Sequence, residues 1–149
     1  MYKKIRIFAT NCKANIMKSF IKNYSISIFI ILVIIYLSFF TPPKTDVPTL
    51  PGMDKIVHFC MYGGLTTLLW IQYFWCHKGI KWSHLIIGGI ICPIVMSGLI
   101  EIGQSTLTET RSGDWWDFVA NTAGVCTATL VSHYVLRSYV YKYKSKRHL

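Results

Sequence analysis

Long apolar runs separated by short polar connections set the pattern of this chain, and the length of each run is what it first discloses. Tyr24 to Phe40, Ile56 to Cys76, Leu85 to Ile100 and Trp115 to Leu136 are four such runs. Each approaches the roughly 20 residues an α-helix needs to cross about 30 Å of hydrocarbon. The pattern predicts an all-α membrane protein with four transmembrane helices in a compact bundle, spans 24–40, 56–76, 85–100 and 115–136. Residues 1–23 form a basic segment before this membrane domain of residues 24–136, and residues 137–149 a basic tail after it.

The connections support this division. "TPPKTDVPTLPGMD" carries Pro42, Pro43, Pro48, Pro51 and Gly52, so it cannot be helical throughout and is expected to lie extended over one face of the bundle. Asp54 is the expected N-cap of the second span. "CHKGIKWSH" is a short turn, and Pro93 predicts a kink in the third span. Gly63, Gly64, Gly88, Gly89, Ser97, Gly98, Ala120, Ala123, Gly124 and Ala128 lie within the spans. In lipid, where apolar attraction between helices is weak, small residues let backbones approach closely.

Composition narrows the class further. A chain of 149 residues makes one domain, and 52% hydrophobic residues with mean hydropathy +0.39 are too apolar for an ordinary soluble one. A cleaved signal peptide is not expected, since no small-x-small site follows "YLSFFTPP" and three more apolar runs come after it. The net charge of +10 is concentrated before the first span, after the fourth, and at Lys78 and Lys81 between the second and third. The excess of Lys and Arg there predicts cytoplasmic N- and C-termini, with the other two loops outside. Tails so placed would lie against anionic lipid head groups, and nucleic acid is not an expected partner. Cys12, Cys60, Cys76, Cys92 and Cys126 have no Cys-x-x-Cys spacing and read as small buried apolar residues. Residues 1–23 admit two readings: an interfacial amphipathic helix through Ile5, Phe8, Cys12, Ile16 and Phe20, or a basic leader without structure.

The topology puts every unusual polar residue at one end. Asp54, Lys55 and His58 begin the second span, Glu101 and Gln104 end the third, and Arg111, Asp114, Asp117 and Asn121 begin the fourth. Spacings of three or four put Asp54 with His58, Glu101 with Gln104, Asp114 with Asp117, and Asp117 with Asn121 on shared helix faces. On the fourth span that face continues through Gly124 and Ala128, so it should turn toward the bundle, leaving Trp115 and Trp116 as interface anchors. Ionisable residues at membrane depth mark functional sites. Each also has a simpler reading: Asp54 and Asp114 as caps, His58 as a packing residue, Arg111 as the loop partner of Glu109. No metal or cofactor is expected, because Asp54, His58, Glu101 and Asp117 offer one histidine and no His-x-x-x-His spacing. No Gly-x-Ser-x-Gly, phosphate loop or Cys/His nucleophile motif occurs.

Three pieces of the chain, "DKIVHFCMYGGL" (54–65), "SGLIEIGQ" (97–104) and "RSGDWWDFVANTAG" (111–124), resemble the VanZ-like family of small bacterial membrane proteins. The family pattern falls on Asp54, Lys55, His58, Glu101, Gln104, Arg111, Asp114, Asp117, Asn121 and Gly124. The resemblance implies a multi-pass protein of the bacterial inner membrane, and the member that names the family lowers susceptibility to teicoplanin, which acts on cell-wall precursors. It implies no settled mechanism.

Three functions are compatible with these residues. In the first, Arg111 and Lys55 hold the anionic head group of an envelope lipid or lipid-linked cell-wall intermediate, oriented by Asp117, Glu101 and Asn121. In the second, an intramembrane enzyme uses Glu101 or Asp117 as base and His58 as acid on such a lipid. In the third, the bundle is a non-catalytic scaffold.

Overall fold

The computed structural model describes residues 15, 17–40, 52–77, 79–107 and 114–147, and all regular structure among them is helical. Helices α1 (Met17–Asn23) and α2 (Ser25–Phe39) meet at Tyr24 with a bend of 74°. Helix α3 is Met53–Cys76. Helix α4 spans 82–107: α-helical Trp82–Ile86, a π-helical turn Ile87–Ile91, then α-helical Cys92–Leu107. Helix α5 spans 115–147, with a π-helical turn Ser132–Leu136 between Trp115–Val131 and Arg137–Arg147. Trp82–Thr106, 25 residues, is long and apolar enough to cross a membrane, and α1 with α2 make a second such segment if the bent pair counts as one. Carboxylates, Lys55, His58 and Asn121 near the starts of α3 and α5 lower the hydropathy of those two helices.

Local chemistry sets the boundaries. Gly52, at φ 83, occupies the N-cap position of α3, and its carbonyl accepts from Ile56 N–H at 3.3 Å. Only glycine takes that left-handed conformation without penalty. Asp54 is therefore not the N-cap expected from sequence; it lies inside the first turn, where no side-chain cap bond forms. The kink expected at Pro93 is instead a π-helical turn just before it, in which Cys92 N–H donates to Ile87 O, five residues back. Pro93 has no N–H for the Gly89 carbonyl, so the ladder widens there. Helix α5 runs through the basic tail, where Lys144 Nζ donates to the carbonyls of Phe74 at 2.7 Å and Trp75 at 3.0 Å. This lysine caps the C-terminus of α3, the negative end of its dipole.

α3 packs along α5 more extensively than any other pair of helices. The two backbones nearly touch where Gly63 meets Gly124: a Cβ on Gly63 would lie 3.4 Å from the Gly124 carbonyl oxygen, and one on Gly124 would overlap the Phe59 carbonyl. Gly64 and Gly88, also expected at contacts, have nothing within 4 Å of where a Cβ would be. One buried cluster joins α2, α3, α4 and α5 through Ile34, Tyr62, Leu65, Ile100 and Val125; a second, at the other end, gathers Trp70, Tyr73, Phe74, Leu85 and Val140.

Polar side chains lie inside as readily as apolar ones. Ser27 donates to Gln72 across α2 and α3, and Thr66, Ser97 and Ser132 are fully buried. Outward faces carry Phe29, Leu32, Leu99, Ile102, Val119, Leu130 and Val135. Cys60, Cys76, Cys92 and Cys126 are free thiols on these outward faces, not the buried residues expected from sequence. An outer surface as apolar as the core makes hydropathy a poor guide to which face a small residue occupies. Cys12, the proline-rich connection 41–51 and the first half of the basic leader lie outside the described residues.

Candidate functional site

The starts of α3 and α5 lie side by side, and helix N-termini favour carboxylates. Asp54 stands in the first turn of α3 and Asp117 in the first turn of α5. Asp114 is the N-cap of α5, its Oδ1 accepting from Trp116 N–H at 2.9 Å. Its other oxygen pairs with Lys55, so the cap expected of Asp114 forms and the same carboxyl also joins the two helices.

Lys55 joins the two helices. Its Nζ donates to Asp114 Oδ2 and to Asp117 Oδ1, each at 2.9 Å. Those bonds raise the Lys55 pKa above its ordinary value, Asp114 contributing most. Reciprocally, Lys55 first and the Trp116 N–H second hold the Asp114 carboxyl below the usual carboxylate range. An ammonium has three donors, and the third is left at a side chain 40% exposed.

One turn deeper, His58 lies between both helices' carboxylates. Its Nε2 is 3.6 Å from Asp117 Oδ2 and 3.8 Å from Asp54 Oδ1. Its Nδ1 is 3.2 Å from Asn121 Oδ1, and Asn121 Nδ2 donates to Ser97 Oγ on α4 at 2.8 Å. A continuous polar path thus runs from α3 through α5 to α4. Ser97 sat among the small packing residues of the sequence; its spacing of four from Glu101 was the available sign that it shares the site face.

Glu101 is buried, 8% exposed; no side chain among the described residues hydrogen-bonds its carboxylate, and the backbone amide of Asp114 interacts with it. It lies within electrostatic range of Asp117, His58 and Asp114. Gln104, one turn further along, donates to the Ser38 carbonyl of α2 at 2.6 Å. Trp115 and Trp116 are 80% and 68% exposed, beside an inward stripe of Asp117, Asn121, Gly124 and Ala128. Arg111 lies outside the described residues.

Among the described residues carboxylates therefore outnumber cations here, and they surround one imidazole where three helices meet. The family model described as VanZ/LLP1 matches residues 6–137, which include every residue of this cluster. The chain belongs to the VanZ/LLP1 family. No curated protein and no solved structure matches it. VanZ proteins are membrane-associated, in keeping with the long apolar α4 and the greasy outward faces of its neighbours.

Proposed function

We propose that this protein is a four-span integral membrane protein of the bacterial inner membrane, with cytoplasmic termini. Its polar cluster opens outward and engages the anionic head group of an envelope lipid or a lipid-linked cell-wall intermediate. The observation that carries this reading is Lys55: two carboxylates fix its ammonium at the mouth of the cluster and leave one donor for a ligand. Arg111, three residues before Asp114 in the sequence, would supply a second cation. The apolar outward surfaces support burial in lipid, and Trp115 and Trp116 suit a head-group interface. Were the bound lipid a cell-wall precursor, its sequestration would alter susceptibility to teicoplanin.

Mass spectrometry of lipids co-purifying with wild type and with Lys55→Met tests the reading. A phosphate-bearing lipid held by wild type and lost from the folded variant is the expected result. Identical lipid profiles would remove Lys55 from the ligand and the reading with it.

One observation favours the enzymatic alternative: the buried Glu101 carboxylate, which no described side chain hydrogen-bonds, within electrostatic range of a histidine between two acids. Such a carboxylate suits a general base. Glu101→Gln separates the two readings, since it should abolish turnover of a bound lipid while leaving its retention intact.

A further inference from the structure

The carboxylates around His58 face acceptors, not donors. Asn121 gives its Nδ2 to Ser97, so its Oδ1 is the acceptor for His58 Nδ1–H. In that tautomer the neutral imidazole carries its lone pair on Nε2. Nε2 faces Asp117 Oδ2 at 3.6 Å and Asp54 Oδ1 at 3.8 Å, while Lys55 holds only the other oxygen of Asp117. With the imidazole neutral in that tautomer, three lone pairs converge. Glu101, buried on α4, adds a further acidic group within electrostatic range of Asp117 and His58. Carboxylates gathered in a buried site are costly unless they are neutralised, paired or coordinate a metal.

We propose that Asp54 Oδ1, His58 Nε2 and Asp117 Oδ2 bind a divalent transition-metal cation such as Zn²⁺. The distances suit it. Ligand atoms about 2.1 Å from a tetrahedral centre stand about 3.4 Å apart. The three atoms lie within 4.8 Å of one another, and the two His58 separations are only tenths of an ångström wider than that spacing. One imidazole nitrogen among carboxylate oxygens suits zinc or manganese better than magnesium. The Asn121 bond on Nδ1 is the kind of contact that fixes the tautomer and orientation of a metal-binding histidine. The sequence offered these three residues together with Glu101 but no zinc-type spacing, because Asp54 and His58 stand on α3 and Asp117 on α5. The proposal does not depend on lipid binding.

The test uses full-length protein in detergent, stripped with chelator and titrated with Co²⁺ and then Zn²⁺. Wild type should bind one Co²⁺, seen by its visible absorption and displaced by Zn²⁺. Asn121→Ala should weaken binding by about 10–100-fold, and His58→Gln should weaken it at least as much. Lys55→Met keeps all three ligands and should still bind metal, even where it loses a lipid, so the two proposals can fail separately. Absence of saturable binding to wild type, or unchanged affinity in folded His58→Gln, would overturn the site. If His58→Gln does not fold, a Co²⁺-shifted imidazole N–H resonance in wild type decides: its presence supports the site, and its absence overturns it.

Discussion

Replacing Gly124 with alanine should separate the two helices that carry the candidate site. The added Cβ would overlap the Phe59 carbonyl oxygen and lie 3.1 Å from Gly63 N, both backbone atoms of α3. Neither can rotate away, so α3 and α5 must move apart by roughly an ångström to restore ordinary van der Waals contact. Overpacking of this kind costs about 1–3 kcal/mol. The gain in helix propensity, about 1 kcal/mol, offsets only part of it. The same displacement stretches the Lys55–Asp117 bond from 2.9 Å and the His58–Asn121 bond from 3.2 Å beyond hydrogen-bonding range. Gly64→Ala is the control, because nothing lies within 4 Å of its added carbon. Thermal unfolding in detergent, followed by circular dichroism, should show Gly124→Ala clearly less stable than wild type and Gly64→Ala equal to it or better. Equal stability of the two variants would refute the close backbone approach and the placement of α3 against α5.

Other consequences are independent of that contact. Asn121→Leu removes the partner of both His58 Nδ1–H and Ser97 Oγ, and should cost about 1–3 kcal/mol in the same unfolding assay; no loss would break the path between α3 and α4. Lys144→Met uncaps α3 and should cost about 1 kcal/mol, with faster amide hydrogen exchange confined to residues near Cys76. Asp114 has a folded pKa below its unfolded value of 3.8, so its pairing stabilises the fold above that pH and is lost as pH falls through the folded value. The stability gap between wild type and Asp114→Asn should accordingly be full near neutral pH and close in acid; a gap unchanged at pH 2 would contradict the Lys55 and Trp116 contacts.

The helices were legible because long apolar runs have few alternatives, yet their ends were not. Gly52 began α3 earlier than Asp54 suggested, since the left-handed backbone that places it there has no hydropathy signature. The tail beyond Leu136 remained helical because Lys144 found three carbonyls at the end of α3, a long-range contact invisible to local pattern. Within the site, spacing by four correctly put Asp54 beside His58 and aligned Asp117 with Asn121 on one buried face. What spacing could not show is the rotation of one helix against another, which decided that Lys55 pairs with α5 and that Gln104 turns to α2. The outward cysteines have the same cause: where both faces of a helix are apolar, periodicity does not say which is inside.

The most direct measurement of an outward-facing head-group site is thiol labelling of Asp54→Cys in intact cells, in a chain whose native cysteines have been replaced. Residue 54 should react with a membrane-impermeant maleimide from outside, and the labelled protein should lose the co-purifying phosphate-bearing lipid. Labelling only after the cells are permeabilised, or a lipid complement indifferent to a bulky group at residue 54, would contradict the outward-facing site.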